Sequence, residues 1–240
     1  MKSSIQNFVF QAPPVASVAV HGTDARFPVR RIFCVGRNYE AHAREMGKDP
    51  TRDPPFFFMK PSDAVIDDGE SVPYPPETND FQHEIELVVA IGADGANIPE
   101  SEALDHIFGY AVGIDLTRRD LQLKARDQGR PWDWGKAFDH SAPIAPIRTV
   151  REVGHPATGR IWLSVNGQTK QSQDIADLIW SVPEIIAIAS RSMKLMKGDL
   201  IMTGTPAGVS PIVVGDRVEG GIDGLGTITI MVGSSQSKAG

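Results

Sequence analysis

The sequence predicts a β-rich α+β fold, and three observations predict it. Short runs of β-branched and aliphatic residues recur along the chain and outnumber the helical patterns. They do not alternate regularly with helices, which argues against a doubly wound parallel sheet. Residues 180–196 form the one long amphipathic pattern, with Ile185, Ile186, Ala189, Met193 and Met196 at helical spacing and assigned to the core. No repeat at solenoid periods and no domain linker is present. The expected organisation is a short N-terminal extension over 1–28, one domain over 29–232 and a disordered tail over 233–240.

In chain order, residues 1–28 read as a small extra hairpin or a partly ordered arm. Residues 31–35 form a short apolar strand ending at Gly36, and 38–46 form a short helix that Asn38 is placed to cap. Residues 47–55 are polar and rich in breakers, hence a loop, and the Phe56-Phe57-Phe58-Met59 strand delivers Lys60-Pro61. A Pro-rich connection over 72–76 leads to a strand over 81–92. Residues 97–106 and 117–126 read as helices, 108–115 as a strand ending in an acid, and 131–139 as an aromatic loop. Arg160–Val165 alternates, and Asn166-Gly167 is a strong hairpin signal. Residues 200–202 feed a Gly-rich loop over 203–208, and strands follow around 217–219 and 226–232.

Composition limits the function classes. In 240 residues, 41% are hydrophobic and 22% charged, the range of a soluble globular protein with a substantial core. A net charge of -6 argues against nucleic acid or an anionic membrane as partner. No apolar run approaches the roughly 20 residues that span a bilayer. No secretory signal is expected from the first residues, and Cys34, a single cysteine, suits a reducing cytoplasm.

The chemistry centres on the strand over 81–92. Side chains alternate across a strand, so Glu84 and Glu86 share one face while Ile85, Leu87 and Val89 share the other. Val88 and Ala90 continue the acidic face as apolar, which points it into the protein interior; alone, the same pair also describes the wet face of an edge strand. Asp115 ends the next apolar strand and adds a third acid, or serves as a helix cap. Three carboxylates from two strands suit a hard divalent cation. His42 and Glu45, three apart on a helix, make either a general-base pair or a solvated contact. Lys136 lies among Trp132, Trp134 and Phe138, either buried for a purpose or snorkelling over the rings. The loop over 203–208 offers hydroxyls and N–H groups to an anion but lacks the P-loop pattern, and a turn is its default reading.

Taken in order, Gly36-Arg37-Asn38-Tyr39 with His42 and Glu45, Lys60-Pro61, His83-Glu84-Ile85-Glu86-Leu87, Asp115-Leu116-Thr117-Arg118-Arg119-Asp120-Leu121-Gln122, Lys136-Ala137-Phe138-Asp139 and Thr203-Gly204-Thr205-Pro206-Ala207-Gly208 resemble the fumarylacetoacetate hydrolase family over residues 30–232. The compact length and Phe27-Pro28-Val29-Arg30-Arg31 resemble its bacterial fumarylpyruvate-cleaving members of gentisate breakdown. The resemblance implies a mixed β-sandwich roll, a cytoplasmic homodimer and a carbon–carbon bond hydrolase acting on a 2,4-dioxo acid. It implies Mg2+ or Mn2+ at Glu84, Glu86 and Asp115, and His42 with Glu45 as the water-activating dyad on a lid segment. It also implies Lys136 as a catalytic group, and Arg37, Tyr39, Gln122 and Thr205 as contacts to a small dicarboxylate or 2-oxo acid. Some members carry another acid seven residues before the histidine; here Val35 stands there.

Three rivals stay open. The same ion and residues serve oxaloacetate decarboxylation, acylpyruvate hydrolysis or isomerisation of an unsaturated dicarboxylate. Glu84 and Glu86 would serve a metal-free glycosidase, which leaves Asp115 and Lys136 without a role. A non-catalytic dicarboxylate-binding member of the fold is the third.

Overall fold

The computed structural model describes residues 8–46 and 53–235. Two sheets carry the fold. In the larger, mixed sheet the strands lie in the order Phe56–Lys60, Arg31–Gly36, Asp199–Met202, Ile85–Ile91, Ile107–Ile114, Ala142–Ile144 and Val65–Asp67, and Arg148–Thr149 also pairs with Ile107–Ile114. The second sheet runs Gln168–Asp174, Arg160–Val165, Arg217–Ile222, Gly226–Gly233 and Ser71–Pro73.

Alternation decides how they pack. Ile85, Leu87, Val89 and Val112 of the larger sheet join Ile161, Leu163, Val218 and Ile230 of the second in one core cluster. The other face of the larger sheet, with Val88, Ala90, Ala111, Leu200 and Met202, is covered too. Val18 and Phe27 pack there from a hairpin of Ser17–Ala19 and Arg26–Pro28. The larger sheet is therefore buried on both sides, the β-rich sandwich roll that the sequence implies. Burial on both sides also places the Glu86 face inside the protein rather than at a wet edge.

Several elements differ from expectation, each for a physical reason. Asn38 does not cap its helix: Glu40–Glu45 begins after Tyr39, whose side chain makes no cap bond. The Asn38 amide instead donates to the Trp180 and Thr203 carbonyls and accepts from the Trp180 N–H. The long helix is Val182–Ser192, started by a Ser181/Glu184 capping box and stopped where Met193 turns extended. Met193 is exposed and Met196 half-buried, so neither is core; Leu195 is buried instead and exchanges backbone bonds with Gly95.

Residues 100–106 form a 3-10 helix, and Thr117–Arg118 pair with Phe81–His83 before helix Arg119–Asp127 begins. The loop over 131–139 contains a helical turn, Asp133–Lys136. Ser71–Pro73, read as part of a connection, is a strand, and Val65–Asp67, Ala142–Ile144 and Ser210–Pro211 were not visible in the pattern. Two or three residues span too little chain to show a period. Of the loop over 47–55 and the tail over 233–240, residues 47–52 and 236–240 lie outside the described residues.

His83 joins the Phe81–His83 strand to the second sheet. It is fully buried, with Nδ1 3.0 Å from Gln171 Oε1 and Nε2 2.9 Å from Ser210 Oγ. Gln171 Oε1 can only accept, so Nδ1 carries the proton and Nε2 accepts from the hydroxyl. Burial pushes the imidazole down to about 4.

Two predictions follow from packing and protonation. Leu163→Ala, in the core between the sheets, should cost roughly 2–5 kcal/mol, whereas Met193→Ala should stay within about 0.5 kcal/mol; urea denaturation measures both. The unfolded His83 takes a proton near pH 6.5 while the folded one resists until about 4. That contribution is present above pH 6.5 and lost as pH falls to about 4, by up to about 3 kcal/mol. His83→Gln should show a flatter stability profile across that window than the parent protein.

Candidate active site

Three acids meet because two antiparallel strands start and end together. Glu84 falls in the break between Phe81–His83 and Ile85–Ile91, and its carbonyl accepts the Asp115 N–H at 2.8 Å. Glu86 lies opposite Gly113 on the neighbouring strand, which Asp115 follows two residues later. One carboxylate oxygen from each acid lies within 4.8 Å of the others, and all three residues are buried.

Cations surround the group. Lys136 arrives on the Asp133–Lys136 turn and donates from Nζ to Glu84 Oε2 (2.8 Å), Asp115 Oδ2 (2.7 Å) and Thr117 Oγ1 (2.7 Å). All three ammonium protons are engaged in the interior, so Lys136 does not snorkel. The Arg119 guanidinium pairs with Glu84 Oε1, and its Nε donates to Gln82 Oε1 at 2.9 Å. Lys60 Nζ sits 2.8 Å from Asp115 Oδ1 but off the hydrogen-bonding direction, and it donates to the Leu116 and Lys136 carbonyls. Asp115 Oδ1 is thereby a buried oxygen without a hydrogen bond.

These neighbours separate the acids electrostatically. Burial alone would raise the Glu84 carboxyl, but Lys136 and Arg119 outweigh it and hold it well below the usual range. Burial, with Asp115 and Glu84 beside it, pushes Glu86 well up, and the Gly204 N–H at 2.7 Å from Oε2 only partly compensates. Burial would lower Lys136, yet Asp115 and Glu84 keep it above its ordinary value. A site of hard oxygen donors with one unsatisfied oxygen and one carboxyl that resists ionisation fits a divalent cation such as Mg2+ or Mn2+. Among the described residues the acid cluster has three members, with Val35 in the cavity wall.

The His42–Glu45 pair comes from a helix rather than from these strands. His42 is buried on helix Glu40–Glu45, and its Nδ1 lies 3.0 Å from Glu45 Oε2. Burial would raise Glu45, but the hydrogen bonds from His42 and the Gly208 N–H hold it below its ordinary value. Gly204 has φ 101°, and a Cβ there would meet Asn38 Cβ at 2.7 Å, so glycine lets the loop aim its N–H at Glu86. Thr205 Oγ1 accepts from Gln171 Nε2 at 2.8 Å.

His42, Glu84, Glu86, Asp115, Lys136, Arg37, Gln122 and Thr205 line one inner cavity of about 40 Å³, and Glu45 backs His42. Tyr39 does not line it: the ring is in the core, its hydroxyl has no hydrogen bond, and burial drives its ionisation far up. Arg119 and Lys60 stand out in the sequence only as motif members. The three-residue spacing of Arg119 and Gln122, whose side chains hydrogen-bond, was the available signal for Arg119. Lys60 reaches Asp115 across 55 residues of chain, which no local pattern shows.

Comparison with known proteins gives the family. The family model for the fumarylacetoacetate (FAA) hydrolase C-terminal region matches residues 31–232. Fumarylpyruvate hydrolase of Ralstonia sp is 46% identical over 181 residues, covering 75% of this chain and 94% of that protein. Mitochondrial oxaloacetate tautomerase FAHD1 of Arabidopsis thaliana is 39% identical over 198 residues, covering 82% and 88%. The crystal structure of fumarylpyruvate hydrolase from Pseudomonas aeruginosa in complex with Mn2+ and pyruvate is 51% identical, with a TM-score of 0.94 over 95% of this chain and 100% of that one. A shared sequence model, shared fold and ordered site motifs lead to one conclusion: the chain belongs to the fumarylacetoacetate hydrolase family.

Proposed function

We propose that this protein hydrolyses a carbon–carbon bond in a 2,4-dioxo acid, taking fumarylpyruvate to fumarate and pyruvate. The observation that carries the reading is one cavity holding both a carboxylate-held histidine and three buried acids, two of them bridged by Lys136. The Ralstonia and Pseudomonas relatives, the latter solved with Mn2+ and pyruvate, support the choice of substrate. The free, buried Cys34 suits the reducing cytoplasm in which such catabolism takes place.

Glu84, Glu86 and Asp115 would hold the divalent cation, which supplies charge stabilisation for the 2-oxo acid end and for the enolate that cleavage releases. His42, its Nδ1 held by Glu45, accepts a proton at Nε2 from a water that attacks the distal carbonyl carbon. The bond to the neighbouring methylene carbon then breaks. Its electron pair stays with the pyruvate part as an enolate, which a proton later converts to pyruvate. Lys136 keeps a positive charge beside that developing charge. Gln122 is oriented by Arg119 at the cavity wall, and Thr205, which lines the same space, would meet the substrate carboxylate.

The 39% identity to an oxaloacetate tautomerase carries a second reading, keto–enol or decarboxylation chemistry on oxaloacetate. A panel of fumarylpyruvate, acetylpyruvate and oxaloacetate, each with and without chelator, separates the two. Hydrolysis of the dioxo acids should disappear in excess chelator and return with Mn2+ or Mg2+, and Glu84→Ala should be inactive while keeping its circular dichroism spectrum. Full activity in excess chelator would remove the metal from the reaction. His42→Ala should lose roughly 10²- to 10⁴-fold in kcat with Mn2+ affinity by calorimetry within a few-fold of the parent. Native turnover in that variant would rule out His42 as the base.

A further inference from the structure

A second, outer cavity of about 500 Å³ opens beside the catalytic one, and Arg37, Phe58, Trp132 and Lys136 line both. Its walls are aromatic: Phe56 meets Trp132 edge-on at 5.2 Å, and Phe58 lies 5.7 Å from the same ring. Such walls suit a flat, conjugated chain more than a bulky or strongly hydrated one.

Arg37 stands at the junction. The other cations lining the inner cavity are committed: Lys136 to Glu84 and Asp115, Arg119 to Glu84, and Arg126 to Asp127. Arg37 is half-buried and has no carboxylate partner among the described residues. Asp133 also lines the outer cavity and makes no ion pair with it. The Arg37 guanidinium carbon lies 5.0 Å from the Phe56 ring centre, over the ring face.

The backbone is shaped to hold it there. Arg37 has φ 63°, a region that non-glycine residues enter rarely. The preceding Gly36 lets Phe56 approach so closely that a Cβ would lie 2.2 Å from ring carbons. Strain that fixes one unpaired cation over an aromatic ring at a cavity mouth is a feature of ligand sites.

We propose that the outer cavity is the subsite for the distal end of the substrate and that Arg37 takes its terminal carboxylate. The inference rests on the dioxo-acid reading and adds to it the residue that reads the second carboxylate at the end of the unsaturated chain. Arg37 thereby sets specificity between dicarboxylic and monocarboxylic dioxo acids. Its planar fork matches a carboxylate with two parallel N–H donors.

The test compares two substrates with the same dioxo head, fumarylpyruvate with the distal carboxylate and acetylpyruvate without it. In Arg37→Met the ratio of kcat/KM for fumarylpyruvate to that for acetylpyruvate should fall roughly 10- to 100-fold, mostly through the KM for fumarylpyruvate, and Arg37→Lys should recover part of it. Equal losses on both substrates would overturn the proposal. Binding without turnover gives an independent readout: with Mn2+ present, the parent should bind fumarate more tightly than crotonate, and Arg37→Met should erase that preference. A preference that survives in Arg37→Met also overturns it. Should the parent cleave neither dioxo acid, the hydrolase reading fails while the fumarate-to-crotonate ratio still decides the role of Arg37. Arg37→Gly, which relieves the positive φ, should melt at or above the parent yet lose the same preference; a lower melting temperature would make the residue structural and overturn the proposal.

Discussion

Three carboxyl groups buried within 4.8 Å of one another are the constraint on which the rest of this structure depends. Such a group is unstable in an interior unless positive charge is brought to it. The fold delivers that charge from three separate segments: Lys136 from a helical turn, Arg119 from the start of a helix, and Lys60 from the end of a strand. The three cations do not serve the acids equally: Glu84 is held ionised between Lys136 and Arg119, while burial and its acidic neighbours keep Glu86 resistant to ionisation. The requirement that makes the protein hold together thus also leaves one acid that a divalent cation would ionise.

Lys136 shows how tightly the parts depend on one another. Its Nζ ties Glu84 to Asp115, while its own carbonyl accepts from Lys60, which stands beside Asp115. Through Glu84 the same network reaches Arg119 and so Gln122. Removal of one member leaves a buried charge without its counterpart, a larger perturbation than the loss of one contact.

What the sequence disclosed follows from the range of each interaction. Alternation placed Glu84 and Glu86 apart from Leu87 and Val89 because strand geometry is local, and the three-residue spacing put His42 beside Glu45 for the same reason. Asp115 was found because it ends an apolar strand. The failures are non-local. Asn38 has the right residue type for a cap but serves the Trp180 and Thr203 segments instead. Met193 sits at helical spacing beyond the point where the helix ends, and Leu195 enters the core on a segment whose backbone pairs with distant Gly95. Tyr39 stands in a motif whose neighbours line the cavity, yet its own ring turns into the core. The family resemblance supplied what local reasoning could not, the order in which distant motifs meet.

The hydrogen bond from the Gly208 N–H to Glu45 joins residues 163 positions apart. The strand before that loop, Asp199–Met202, inserts between Arg31–Gly36 and Ile85–Ile91, two strands made much earlier. The first half of the chain therefore holds the histidine and the three acids, while the strand between its two strands comes from the last third. Glu45, the partner of His42, and Glu86 both receive N–H groups from the loop that follows that strand. The cavity is completed only by the finished chain: a fragment that stops before Asp199 would carry His42, the three acids and Lys136 without Thr205 or the loop that holds Glu45 and Glu86.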